Sequence, residues 1–289
     1  LQLFGIQKYC TFKINKPIQK QPSMKSIVLS ICLLFITSSF VMAQDYALTQ
    51  LENSPRHHEW VQIEYNNRTL TSFVAFPETN ETVPAVIVIH ENRGLTDWVR
   101  SFADQVAEAG YIAIAPDLLS EFNEEYGRTT DFPSSDAARD ALYQLDSNQI
   151  TADLHQVRNY ISSHPATNGK TVVAGFCWGG SQTFRFATNS DQIEAALVFY
   201  GSAPTDEDAV QNISVPVYGF YGENDQRINS GIPAIESLMS EYGKTYEYEI
   251  YDGAGHAYMR AGDSPDGSVS NVTARNESWE RLKHILADI

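Results

Sequence analysis

Continuous apolar runs rich in β-branched residues recur along the chain at 85–90, 111–115, 171–176, 195–200 and 217–222. Runs of this length and composition predict strands buried on both faces. A sixth strand is expected at 245–250. Two earlier segments, 62–65 and 70–75, flank the turn Asn66-Asn67-Arg68 and predict an antiparallel pair. Between the strands lie segments of helical spacing. One spans 98–109 and stops at Gly110. Another starts at Ser134 or Ser135 and runs to about Leu145, and others cover 151–163, 180–187, 232–242 and 276–289. Residues 118–133 are polar and irregular, suiting a surface excursion. Strands alternating with helices at this spacing predict an α/β fold, a mostly parallel sheet with helices on both faces. Functional residues are then expected at the carboxyl ends of the strands, in 91–94, at Cys177, in 223–227 and in 253–260.

The first residues break the pattern. Lys25 precedes an uncharged apolar run, 27–41, and Val41-Met42-Ala43 offers a small-residue cleavage site. This reads as a secretory signal peptide starting at Met24 and cut after Ala43, with 1–23 as upstream read-through. The run is shorter than the roughly 20 residues a membrane span needs. An exported protein, periplasmic or secreted, is expected, with residues 44–289 forming one domain. Removal changes the composition. Cys10 and Cys32 leave, so Cys177 stays as a lone thiol. Five lysines and no acid leave, taking the formal charge from −16 to −21. Such a surface repels nucleic acid and anionic membranes. No metal is expected, because the seven histidines show no H-E-x-x-H or comparable spacing. No other cofactor is indicated.

Candidate chemistry centres on Thr171-Val-Val-Ala-Gly-Phe-Cys-Trp-Gly-Gly180. This is the G-x-S-x-G nucleophile elbow with Cys177 in place of serine. A nucleophile raised on a sharp strand-to-helix turn sits in strained backbone, and Gly175 and Gly179 allow close approach of strand and helix. Backbone N–H groups at the helix start face the position where an oxyanion develops. A lone cysteine in an apolar segment is otherwise an inert buried hydrophobe, so downstream partners decide. Asp225 follows one apolar strand in Tyr221-Gly-Glu-Asn-Asp, and His256 follows the next in Gly253-Ala-Gly-His. The order Cys177, Asp225, His256 matches nucleophile, acid and histidine of the α/β-hydrolase fold. In that arrangement the histidine relays the proton, the acid fixes its tautomer, and the cysteine attacks a carbonyl. His90 is nearest the site among the remaining histidines, where a wall position is expected of it.

Five motifs together resemble the dienelactone hydrolase (carboxymethylenebutenolidase) family. They are His90-Glu-Asn-Arg-Gly-Leu95, Gly110-Tyr-Ile-Ala-Ile-Ala-Pro-Asp-Leu-Leu119, Gly175-Phe-Cys-Trp-Gly-Gly180, Tyr221-Gly-Glu-Asn-Asp-Gln-Arg-Ile228 and Gly255-His-Ala-Tyr258. The resemblance covers about residues 60–289. It implies Cys177, Asp225 and His256 as the triad, and Glu91 as a carboxylate beside the thiol. In the family this glutamate is thought to deprotonate the cysteine when an anionic substrate docks, keeping the thiol neutral until then. A neutral thiol is also the less oxidisable form. The resemblance further implies an oxyanion hole from the backbone N–H groups of Asn92 and Trp178. It implies two arginines clamping a substrate carboxylate. Arg260 matches one, and Arg139 is the candidate for the second, with Arg93 in reserve.

The expected activity is hydrolysis of an ester or lactone through a cysteinyl acyl-enzyme, with carboxylated substrates preferred and the protein acting as a monomer. A broad exported carboxylesterase or thioesterase of the same fold is the alternative, distinguished by indifference to Arg260. A non-catalytic binding protein would not need Cys177, Asp225, His256 and Glu91 together.

Overall fold

In a computed structural model, residues 46–289 are described; the expected signal peptide and its cleavage site lie outside them. A helix α1 at residues 46–53 precedes β1 (His57–Tyr65) and β2 (Arg68–Phe76). Then come β3 (Val83–Ile89), α2 (Asp97–Glu108) and β4 (Ile112–Pro116). After a short 3₁₀ turn at Thr129–Asp131 follow α3 (Ser135–Leu142), α4 (Ser147–Ser162), β5 (Thr167–Phe176) and α5 (Trp178–Ala187). The remainder is β6 (Ala195–Phe199), α6 (Glu207–Val210), β7 (Val217–Gly222), α7 (Gln226–Asn229), α8 (Ile232–Glu241), β8 (Tyr246–Tyr251), α9 (Tyr258–Asp263) and α10 (Val269–Ala287). Among the described residues no helix is long and apolar enough to cross a membrane.

The eight strands form one sheet in the order β1-β2-β4-β3-β5-β6-β7-β8. β2 is antiparallel to both β1 and β4, and the other six strands run parallel. Side chains alternate across the sheet with a period of two. On β3, Val86 and Val88 enter one core while Ala85, Ile87 and Ile89 enter the other. On β6, Leu197 and Phe199 join the first core, Ala196 and Val198 the second. The first face is covered by α2 through Val99, Phe102 and Val106, and by α10 through Trp279, Leu282 and Leu286. The second is covered by α4 through Leu154, Val157 and Ile161, and by α8 through Ile235 and Met239. Because both faces are covered, the central strands read as continuous apolar runs.

Boundaries differ from the sequence expectation where capping and hairpin chemistry intervene. Asn66 and Asn67 both take positive φ, 46° and 59°, as a two-residue hairpin turn with the strands' own twist requires. Asn is among the residues that tolerate it. β1 starts five residues earlier than expected, at His57. Helix α4 starts at Ser147 rather than 151, because Asp146 accepts from the Asn148 and Gln149 N–H groups. Helix α10 begins at Val269, not 276, with Ser268 accepting from Asn271 N–H. Its first turns, Val-Ser-Asn-Val-Thr, are poor helix formers, and packing against α9 overrides that weak preference.

Candidate active site

The elbow is built by close backbone approach. Cys177 sits between β5 and α5 at φ 55°, ψ −113°, a conformation costly for a residue with a Cβ. Its N–H donates to Phe199 O at 3.0 Å, anchoring the turn to the neighbouring strand. A Cβ on Gly179 would run into the carbonyl oxygens of Ile89 and His90, and one on Gly175 into the carbonyl of Gly179. The turn therefore exists only because these two positions lack a side chain.

Strand order does the rest. β5, β6, β7 and β8 are consecutive neighbours in the sheet, so the loops leaving their carboxyl ends are adjacent. His256 Nε2 lies 3.0 Å from Cys177 Sγ, and its Nδ1 lies 2.5 Å from Asp225 Oδ2. Asp225 is 5 % exposed and acceptor-only when ionised, so Nδ1 carries the hydrogen and donates it. Nε2 is then the acceptor for the thiol S–H. Arg227 Nη2 also stands 3.5 Å from Nδ1. With the Nδ1 hydrogen committed to Asp225, that contact is one of charge, not a second hydrogen bond.

The thiol is held neutral. Burial, followed by the negative charge of Glu91, pushes its pKa from the ordinary 9.0 up to about 11. The backbone N–H groups of Trp178 and Asn92 and the charge of Arg227 act in the opposite direction, favouring thiolate. Two backbone N–H groups, one in the elbow and one in the loop after β3, thus favour the charged form of the sulfur.

Glu91 follows β3 and is almost fully buried, with its Oε2 accepting from Arg260 Nε at 2.7 Å. Its Oε1 is buried without a hydrogen-bond partner among the described residues. The carboxylate raises the pKa of the Arg260 guanidinium against the opposing effect of burial. Next to it, His90 is fully buried, and desolvation lowers its pKa, keeping it neutral. Its Nδ1 donates to Glu91 O at 2.8 Å and its Nε2 accepts from Leu118 N–H at 3.3 Å. Its ring stacks on Trp178 at 5.5 Å. His90 fixes the chain on which Glu91 rides and is not in the cleft.

Cys177, His256, Glu91 and Arg260 line a cleft of about 780 Å³. The structure brings Cys177, Asp225, His256, Glu91 and Arg260 together, with Asn92, Arg93 and Trp178 in the cleft wall. Arg139 is not brought there, which corrects the expectation of it as the second clamp. On α3 its guanidinium pairs with Asp136 and Asp140, 3.0 and 2.9 Å away, on the exposed face. Two nearby carboxylates hold it locally. Arg227 lines the cleft instead. It lies in α7, within the segment 223–227 that the sequence marks as adjacent to the site, but no pattern distinguishes it from a solvated charge. Tyr200 was also not singled out. It ends the β6 run at φ 40°, its ring packs edge-on to His256 at 5.1 Å, and it lines the cleft. Among the described residues no group of three His, Cys, Asp or Glu side chains is arranged to hold a metal.

Comparison with known proteins identifies the family and the fold. The model of the dienelactone hydrolase family matches residues 70–289. A candidate carboxymethylenebutenolidase of Saccharolobus solfataricus is 31% identical over 248 residues, 75% of this chain and 93% of that protein. A candidate 2-oxo-3-(5-oxofuran-2-ylidene)propanoate lactonase of Bradyrhizobium is 28% identical over 212 residues, 69% of this chain and 83% of that protein. The crystal structure of a candidate dienelactone hydrolase from Klebsiella pneumoniae superposes with a TM-score of 0.70 at 23% identity, covering 81% of this chain and 99% of that one. The eight-stranded, mostly parallel sheet and this likeness identify the α/β-hydrolase fold.

Proposed function

This chain belongs to the dienelactone hydrolase family and is a hydrolase of ester or lactone bonds, and from that premise we propose that it works through Cys177 as nucleophile on substrates bearing a carboxylate. The observation that carries the reading is the relay Cys177 Sγ, His256 Nε2, His256 Nδ1, Asp225 Oδ2, at 3.0 and 2.5 Å.

The resting thiol must lose its proton before it attacks. A substrate carboxylate competing for Arg260 loosens the Glu91 bond to that guanidinium. Glu91, already close enough to raise the thiol's pKa, then accepts the proton, and His256 is the second acceptor, 3.0 Å away. The thiolate adds to the substrate carbonyl carbon, and its oxygen becomes an oxyanion received by the Asn92 and Trp178 N–H groups. The intermediate collapses to a thioester as the ring or ester oxygen leaves and takes a proton from the protonated base. Water, deprotonated by His256, then adds to the thioester; its collapse releases the acid and restores the thiol. Asp225 holds the imidazole tautomer and stabilises the imidazolium. In a lactone the leaving oxygen stays tethered, so one acid with two functional groups is released. The Bradyrhizobium relative's named substrate is a furanone carrying a propanoate, which supports the carboxylate preference.

The test compares a carboxylated dienelactone with a neutral p-nitrophenyl ester, on wild type, Cys177→Ala and Arg260→Ala. Dienelactone turnover lost in both variants supports the reading. Turnover confined to the neutral ester, lost with Cys177 but indifferent to Arg260, makes the enzyme a broad esterase instead.

We also place the mature enzyme outside the cytoplasm, on the strength of the apolar run 27–41 and Ala43, and propose that it acts as a monomer. N-terminal sequencing of protein recovered from the cell envelope or medium should begin at Gln44, and sedimentation should give one chain per particle.

A further inference from the structure

The catalytic cleft does not end at the triad. Between the loop after β6 and helix α8 lies a groove of about 510 Å³. Ser202, Arg227 and Ile228 line both spaces, so cleft and groove meet along one wall. Glu91 and Arg260 line only the cleft. The floor of the groove is of a different character. Tyr221, Ile228 and Ile232 form an apolar cluster of their own, apart from the two cores that flank the sheet. They are 2, 6 and 4 % exposed, and Ile235 beside them 5 %. The Tyr221 and Tyr246 hydroxyls bond each other at 2.9 Å, which ties the two phenol oxygens to each other. An apolar floor that opens at the nucleophile's side suits the apolar part of a molecule whose carbonyl is at Cys177.

We propose that this groove is a subsite for an apolar alkyl chain of the ester substrate. The inference rests on the hydrolase reading above and extends it. Arg260 engages a charged end of the substrate, while the groove past Ser202 and Ile228 takes a hydrocarbon arm. Burial of each further methylene on this floor is favourable, so specificity should grow with chain length until the groove is filled. Because α8 borders the groove with exposed small residues, Ala234 and Ser237, bulk can be added there without entering the core.

The experiment measures kcat/KM on two ester series. Mono-p-nitrophenyl esters of succinic, butylsuccinic and octylsuccinic acid vary the acyl chain; monomethyl, monobutyl and mono-octyl succinate vary the alcohol, and every member keeps the free carboxylate that Arg260 engages. The expected result is a rise of about tenfold or more from the shortest to the longest member of one series, and the series that rises tells which half of the ester lies in the groove. Ala234→Trp and Ser237→Trp should each flatten that rise. Ser240→Trp, exposed on the same helix but outside the groove, should retain it. Flat series in wild type, or a rise that survives both groove-filling variants, would overturn the proposal. Calorimetry with octanoate gives a readout independent of turnover: it should bind wild type and Ser240→Trp but not Ala234→Trp. Equal binding to wild type and Ala234→Trp, or none to wild type, overturns the subsite. Loss of the proposed chemistry would show separately, as ester turnover indifferent to Cys177→Ala.

Discussion

Glu91 and Arg260, 169 positions apart in the chain, are joined by a 2.7 Å hydrogen bond in the wall of the cleft that holds Cys177. The bond gives a buried carboxylate its counter-charge, and the other oxygen, Oε1, has no hydrogen-bond partner among the described residues. The same carboxylate is the second cause, after burial, of the raised thiol pKa. One ion pair thereby links the site's charge balance to the protonation of the Cys177 thiol.

Replacing Glu91 by Gln removes that negative charge while keeping the shape. The thiol pKa should fall below its value of about 11, because the charge opposing thiolate is gone and Arg260 is no longer neutralised. Thiolate absorbance at 240 nm followed against pH, or the pH profile of iodoacetamide alkylation, reads the shift. An unchanged profile would mean that burial alone keeps the thiol protonated.

Asp225→Asn keeps the volume but reverses the tautomer logic, since the amide can donate to Nδ1 and leave Nε2 protonated. Turnover should drop by about 10⁴-fold, the loss seen when the acid of such a triad becomes Asn, with the far-ultraviolet circular dichroism of the wild type. A loss of less than tenfold would show that Glu91, not the histidine relay, supplies the working base.

The raised thiol pKa has a consequence for stability. The folded protein holds the thiol proton more tightly than the unfolded chain does. The associated stabilisation is complete below pH 9 and is lost as pH rises from about 9 through about 11. Its size is on the order of 3 kcal/mol, at about 1.4 kcal/mol per pKa unit over a rise of about two. Urea unfolding between pH 8 and 11 should show a steeper decline for wild type than for Cys177→Ala. Parallel declines would refute it.

Away from the cleft, Asp104 on α2 is buried completely, with Arg56 donating to it from Nε at 2.8 Å and Nη2 at 2.6 Å. Ser54 Oγ and His58 Nε2 complete its partners at 2.6 and 2.7 Å. Burial pushes the carboxyl's pKa up, but these hydrogen bonds together outweigh it and hold the pKa below the ordinary range. The stability this provides is present above the unfolded carboxyl's pKa and is lost as pH falls through the depressed folded value. Asp104→Ala strands Arg56 and should cost about 3–5 kcal/mol in urea unfolding at neutral pH, with a weaker acid dependence. A cost under about 1 kcal/mol would show that water replaces the carboxylate without penalty.

Much of this protein is readable along the chain because the relevant forces are local or periodic. Apolar runs of five or six mark the central parallel strands, since a strand covered on both faces admits few polar residues. The elbow was legible at Gly175, Cys177 and Gly179, because only that spacing of missing side chains allows strand and helix to meet. Asp225 and His256 followed from the order of strand ends. The three-dimensional arrangement settled matters of distance and competition. Arg139 and Arg227 look alike in sequence, yet Asp136 and Asp140 hold the first on a helix surface while the sheet order carries the second to His256. The Glu91–Arg260 bond and the groove beneath α8 join segments far apart in the chain. No local pattern encodes them, because their energies arise only after the sheet has fixed which loops are neighbours.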